Sequence, residues 1–485
     1  MNWRRAGLVG ACDESANREI NRMRLRLIAL LAATVFGAIA SNAQDPKIPA
    51  TEKPEALLLI IADQHSAYER TAQFVALVDQ LKADHPGLPL AILLDGDTFE
   101  YGNVIARRSA GAIEFAMFGA LARRAPTVLN LGNHEPEFYD LSDTVRRIGN
   151  TGVKVIGNIV DRSSGRPFAP ASIQLKLGPA TATIVGLATD HLSTYRVAVR
   201  SSLGLANPIS WAKQNFPALL GHASLSIVMS HAGLNADREI LPLAPDGTLF
   251  AGAHDHLRFV HRMSRGVYVH SGSWNEFLSL AWLYRDSAGR PVWKVEQRAI
   301  PMDAVTDPEL TEVINTIRLK YLTPEDSAIV AQSPRPMSPP EAARFVTHLL
   351  ATSAGVDAAF IGNTTFGAGL FAGPIRRIDF DACVRFDGAV YTAEVDGSRL
   401  ETLMANANQE VGTAFEKQRG EYLVSDGPKT IVPAKRYRIA TNDWGARNSA
   451  NYFGLPVLEW RELSGPKLKA RILYGLSAPK IEMQR

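Results

Sequence analysis

An α/β fold is what this sequence predicts, and two features of residues 55–302 predict it. Six short apolar runs, at 57–62, 89–94, 127–131, 182–187, 226–230 and 247–251, are rich in Leu, Ile and Val and end in polar or glycine residues, as buried strands do. Between them, 68–83 and 109–124 place apolar residues at helical spacing, so strand and helix alternate. Two more strands are expected within 268–286, closing this part of the chain.

The pattern then changes. Residues 308–321 set Leu310, Val313, Ile314, Ile317 and Tyr321 on one face of a helix, and 323–340 hold Pro324, Pro334, Pro336, Pro339 and Pro340. A first domain over 44–302, a linker helix over 303–322 and a smaller α+β domain over 323–485 are therefore expected. A helix at 340–352 and strands at 389–395 and 436–441 belong to the last. A length of 485 residues exceeds what one core usually supports and fits two domains behind a leader.

That leader is the first 43 residues. From Met23, Arg24 and Arg26 precede an uncharged run to Ala40, and Ser41-Asn42-Ala43 follow, matching the basic, apolar and small-residue zones of a secretory signal. The apolar run is shorter than the roughly 20 residues a spanning helix needs, so cleavage after Ala43 and a periplasmic or secreted protein without a membrane span are expected. Six Arg and three acidic residues leave with the leader, so 46 of the 52 basic and 46 of the 49 acidic side chains remain. This balance offers no basic stripe for a nucleic-acid polymer, while small anionic substrates remain compatible. Cys12 falls in the leader and leaves Cys383 alone, which excludes an intramolecular disulfide in the mature chain and fits a buried small hydrophobe.

Chemistry-bearing residues gather just beyond the expected strand ends, where open α/β sheets bind ligands. They are Asp63-Gln64-His65, Gly96-Asp97, Gly132-Asn133-His134-Glu135, Ser230-His231 and Gly252-Ala253-His254-Asp255-His256. Any one alone is more often a turn or a polar surface than a ligand. Five at successive strand ends, using five of the 11 histidines, is an arrangement chance rarely produces. Asp63/His65 and His254/His256 are i, i+2 pairs that extended backbone would point the same way. Imidazole with carboxylate suits transition metals, Zn or Mn foremost, and a carboxylate such as Asp97 can bridge two ions about 3.5–4 Å apart.

In this order the motifs resemble the calcineurin-like metallophosphoesterase family, and the second domain resembles its 5'-nucleotidase branch, which includes UDP-sugar hydrolases. The resemblance implies a four-layer αββα sandwich followed by the smaller α+β domain, and two divalent ions. One would be held by Asp63, His65, Asp97 and His256, the other by Asp97, Asn133, His231 and His254. It further implies in-line attack on phosphorus by a hydroxide shared between the ions, with His134 stabilising the transition state and protonating the leaving alkoxide. The family's orienting Asp is replaced here by Glu137, with Asp140 a further candidate.

The substrate side departs further from the family. Its Gly-Gly-x-Arg phosphate clamp is replaced by Gly362-Asn363-Thr364-Thr365-Phe366-Gly367, which leaves Asn363 as a substrate-binding candidate and Arg376, Arg377, Lys417 or Arg419 as cationic ones. Tyr422, in Gly420-Glu421-Tyr422-Leu423-Val424, and Trp444, in Thr441-Asn442-Asp443-Trp444, resemble the pair that sandwiches a nucleotide base. The usual glycine-rich tail is replaced by Arg447-Asn448-Ser449-Ala450-Asn451-Tyr452. The expected activity is hydrolysis of a phosphate monoester, a 5'-nucleotide or a similar small molecule. The alternatives are a diester, nucleotide-sugar or sulfur-ester hydrolase on the same centre, or a metal-retaining binding protein without turnover.

Overall fold

The computed structural model describes residues 53–409 and 412–477. The expected leader and Cys12 lie outside the described residues. The described residues all fall within one compact unit.

Its first part carries twelve principal strands in two sheets. In chain order they are β1 (Ala56–Ala62), β2 (Leu90–Asp95), β3 (Thr127–Asn130), β4 (Lys154–Ile156), β5 (Ser172–Leu177), β6 (Ala180–Ala188), β7 (Leu225–His231), β8 (Leu249–Gly252), β9 (Arg258–Arg262), β10 (Val267–Ser271), β11 (Phe277–Arg285) and β12 (Pro291–Ala299). The first sheet runs β12-β11-β1-β2-β3-β4 and the second β9-β10-β8-β7-β6-β5. β1 to β4 are parallel, as are β6, β7, β8 and β10, while β5, β9, β11 and β12 pair antiparallel with their neighbours.

Alternation along each strand stacks the layers. In β1, Leu57, Leu59 and Ile61 face outward onto the helices Thr71–Asp84, Ala112–Arg124 and Pro308–Tyr321, which contribute Phe74, Val78, Met117, Leu121, Leu310 and Ile314. Leu58 and Ile60 face inward, meeting Ile184, Ile227, Met229 and Leu249 of the second sheet. The outer face of that sheet is covered by Pro208–Leu220 and Leu234–Ile240, through Phe216, Leu220 and Leu234. The layers are thus α, β, β, α, as the sequence led one to expect.

The helix expected over 109–124 is interrupted. Val104–Ser109 ends at Ala110 and Gly111, whose φ of 51° and 79° turn the chain left-handed before Ala112–Arg124 begins. Further along, a mixed five-stranded sheet is built from Ala358–Gly362, Val390–Asp396, Leu423–Asp426, Arg436–Asn442 and Arg461–Glu462, with helix Pro339–Ala354 packed beside it. Cys383 ends helix Arg377–Cys383, and burial pushes its thiol up to about 12, which suits an inert apolar filler. No described helix is long and apolar enough to cross a membrane.

One side chain fastens the two sheets. Asn130, at the end of β3, donates to the Asp95 carboxylate at 2.9 Å and across the sandwich to the carbonyls of Leu187 and Met229 at 2.8 and 3.2 Å. Buried backbone carbonyls demand such partners. Asn130→Ala is expected to lower unfolding stability by about 1–3 kcal/mol, read as a shift of the denaturant midpoint; an unchanged midpoint would show that the bridge holds nothing.

Candidate metal centre

β1, β2 and β3 of one sheet and β7 and β8 of the other end on the same side, and their loops close on one another. The ladder continues past the strands: the Asp63 amide donates to the Gly96 carbonyl at 3.1 Å and that of His65 to the Asp97 carbonyl at 2.9 Å. The Ala253 amide donates to the Ser230 carbonyl at 2.9 Å, and that of His254 reaches the Asp63 carboxylate at 3.1 Å, joining the sheets.

Two glycines make the approach possible. A Cβ at Gly96 would stand 2.5 Å from His231 Nδ1, and one at Gly132 would collide with Asp97 Oδ1. Glu135 cements the junction, its carboxylate accepting from the amides of Asp97 (3.1 Å), Thr98 (3.0 Å) and Gly132 (2.6 Å). Burial pushes Glu135 up to about 7. The residue was in view within its motif, but its partners stand 37 and 38 positions earlier and nothing local marks them.

The i, i+2 pairs converge by a different route from the one expected. Asp63, His65, Asp97, His254 and His256 have φ of 48°, 44°, 50°, 81° and 58°, so the backbone at these residues is left-handed and not extended. Such conformations are costly for non-glycine residues and persist where surrounding bonds impose them. The amide ladder and the Glu135 cradle supply those bonds.

Six of the seven residues expected as ligands fall into two largely buried groups, and the seventh, Asn133, is buried as well. Asp63, His65 and His256 can converge on one point, and Asp97, His231 and His254 on another. His231 Nδ1 donates to the Asp95 carbonyl at 2.8 Å, which turns Nε2 toward Asp97 at 3.0 Å and Asp63 at 3.8 Å. Buried Asn133 Oδ1 and His231 Nε2 have no hydrogen-bond partner, and Nε2 atoms of His65 and His256 stand 3.0 Å apart. Burial, reinforced by neighbouring histidines, holds His65, His254 and His256 well below the usual imidazole range, so they are neutral and carry free lone pairs. Burial lifts Asp63 well above the carboxylate range; Asp97 is held well below it, burial being outweighed by His231, His134 and His65. Neutral imidazoles, unpartnered acceptors and crowded carboxylates are what divalent cations require, so these residues fit a metal pair. Glu100, absent from the expected set, lies 3.2 Å from His65 Nδ1 and leaves Nε2 to face the cluster, the arrangement that orients a ligating histidine.

His134 sits beside this cluster, its backbone amide donating to Asp97 Oδ1 at 2.7 Å. Glu137 Oε1 is 2.7 Å from His134 Nδ1, an ion pair rather than an aligned hydrogen bond. Burial works against the charge on His134, yet Asp97, Glu137 and Glu100 push it up to about 10. Asp140 does not share that place: its carboxylate caps helix Leu141–Asn150 by accepting from the Asp143 amide.

Residues 56–258 match the family model for calcineurin-like phosphoesterases. This part of the chain is a calcineurin-like phosphoesterase domain. The whole fold is shared with 5'-nucleotidases: that of Thermus thermophilus, described as a precursor, is 18% identical with a TM-score of 0.62 over 87% of this chain and 96% of its own. The enzyme from Candida albicans is 11% identical with a TM-score of 0.60 over 87% and 98%. The sulfate thiohydrolase SoxB of T. thermophilus is 15% identical with a TM-score of 0.62 over 88% and 94%. No curated protein sequence matches the chain. The phosphoesterase domain and the expected metal residues therefore coincide.

Beyond the phosphoesterase domain, the expected substrate residues are more tightly engaged than their residue types suggest. Asn363 Nδ2 donates to the Asp255 carbonyl at 3.1 Å and Oδ1 accepts from the Tyr422 amide at 2.9 Å, leaving one donor and one lone pair for a ligand. Tyr422 is partly buried against apolar clusters on both sides of it. The Trp444 indole donates to Tyr452 Oη at 3.2 Å, and Tyr452 donates to Glu421, so the two expected aromatic segments are joined through the altered tail. Of the cationic candidates, Arg376 is paired with Asp379 at 2.8 Å, Arg377 is half-buried at the start of its helix, Arg419 is bonded to Asn406, and Lys417 is exposed. Arg385 and Trp274, which border the centre, were not among the candidates.

Gly96→Ala adds a methyl where φ is 74° and His231 leaves no room. Metal affinity is expected to fall by about 10–100-fold, the usual scale for displacing a ligand's support, measured as metal retained on dialysis against a graded chelator. Retention equal to wild type would contradict the crowding argument.

Proposed function

We propose that the chain is an exported, metal-dependent phosphomonoesterase acting on a 5'-nucleotide or a nucleotide-like ester. The observation that carries this reading is His134: an imidazole paired with Glu137 at 2.7 Å and tied by its own amide to Asp97, in the middle of a phosphoesterase domain. Asp63, His65, Asp97 and His256 would hold one ion, and Asp97, Asn133, His231 and His254 the other. When bound, such a pair supplies Lewis acidity and lowers the pKa of water to near neutrality.

The chain's own groups do the rest. Asp97 and Glu137 keep His134 protonated and Glu137 fixes its ring, so a positive N–H is available where charge gathers on the phosphoryl group. The same proton can pass to the departing alkoxide oxygen. Glu100 fixes the tautomer of His65, and Glu135 holds the Asp97 and Asn133 loops in register. The planar rings of Tyr422 and Trp444 would flank a base, which favours a nucleotide over a plain phosphate ester. Export rests on the 23–43 segment, and a mature chain beginning at Gln44 would be its signature by N-terminal sequencing.

A sulfur-ester substrate is the second reading, favoured by a likeness to the sulfate thiohydrolase equal in TM-score to that for the nucleotidase. Phosphate release from AMP and an aryl phosphate, monoester release from UDP-glucose and 2',3'-cyclic AMP, and sulfate release from a thiosulfate ester decide between them.

On the preferred ester, Asp97→Asn is expected to lose bound metal and rate together. His134→Ala is expected to keep metal and lose about 10²–10⁴ in kcat. Equal residual activity in the two variants would reject this division of labour. Metal-loaded wild type that binds these compounds and turns none of them over would instead make the chain a binding protein.

A further inference from the structure

Arg385 is a buried arginine that forms no ion pair with a carboxylate among the described residues. The residue is 3% exposed and its Nε is buried without a hydrogen-bond partner. Of the acids lining the cleft it borders, Asp379 is paired with Arg376 at 2.8 Å and Asp381 with Lys469 at 2.6 Å. Buried guanidinium groups are rarely left this way, because the lost hydration must be replaced by an anion.

Its position is enforced. The Arg385 amide donates to the Thr365 carbonyl at 2.9 Å, and the amides of Gly367 and Ala368 donate to the carbonyls of Cys383 and Ala382 at 3.1 and 2.9 Å. A Cβ on Gly367 would stand 2.6 Å from Arg385 Nε, so glycine there clears the space the side chain occupies. The stretch that has no arginine where the family's clamp is expected, 362–367, is therefore the one that cradles an arginine from elsewhere.

Its neighbours belong to the metal centre. The guanidinium carbon is 4.5 Å from the centre of the Trp274 ring, which lies 4.6 Å from the His65 ring and 5.4 Å from that of His256. The next residue, Phe386, has its ring 6.5 Å from that of His134. Arg385 also borders a cleft of about 140 Å³ shared with Tyr68, Gly102 and Asn103.

We propose that Arg385 binds non-bridging oxygens of a terminal phosphoryl group held at the metal centre, and thereby selects monoesters over diesters. The inference rests on the phosphoesterase reading above and names the substrate class more closely. A monoester offers three non-bridging oxygens and a diester two. With two of them directed to the cations and His134, only a terminal group has an oxygen left for the guanidinium fork.

Metal-loaded wild type, Arg385→Ala and Arg385→Gln are titrated calorimetrically with inorganic phosphate and with the diester bis(4-nitrophenyl) phosphate, and metal content is measured on each. Loss of a charge-assisted hydrogen bond predicts phosphate binding weaker by about 10–100-fold in both variants. Diester binding changes less than about 3-fold on the same grounds, and metal content stays at the wild-type level. KM for the monoester rises in parallel while kcat falls less. Phosphate affinity equal to wild type in either folded variant overturns the proposal, as does an equal loss for both ligands. Where the Ala variant fails to fold, the Gln variant, which keeps a planar group over Trp274, decides. Absence of turnover in the wild type would sink the phosphoesterase reading alone, because phosphate affinity still reports on Arg385.

Discussion

Asp97 is the point on which the rest of the site depends. It stands on a glycine-led turn after β2, buried, with His231 Nε2 at 3.0 Å, His65 Nε2 at 3.8 Å and the His134 amide at 2.7 Å from its carboxylate. One anionic group thus meets two side chains and a backbone amide from the ends of three other strands. Its backbone is equally committed: the carbonyl accepts from His65 and the amide donates to Glu135. A buried carboxylate so placed is tolerable only when positive charge surrounds it, which makes the centre a device for concentrating cations.

Much of this was legible in the sequence because the same physics writes both records. Apolar runs such as 57–62 are strands because both of their faces are buried, and a polar motif after a run marks the place where the sheet stops and water or ligand begins. The left-handed backbone at Asp63, His65, Asp97, His254 and His256 was only faintly marked: aspartate and histidine enter that region more readily than most residues, but far less often than glycine. The break at Ala110 was missed for a similar reason: the helical periodicity continues across it.

The second part of the chain was harder to read. There the functional question is which side chains remain free, and that is settled by partners distant in sequence. Arg419 looks like a substrate arginine until Asn406 is seen to bind it, and Arg385 has nothing in its local sequence to single it out until Trp274 is seen beside it. Asp140 likewise resembles a partner for His134, but its local role as a helix cap takes precedence.

The amide of Asn363 grips the carbonyl of Asp255 with one end and the amide of Tyr422 with the other. Asp255 lies between His254 and His256, so the loop that aims two imidazoles and the strand that presents an aromatic ring share a single crosslink. A displacement of the backbone at Tyr422 is thereby tied to the loop that carries His254 and His256, through a single carboxamide.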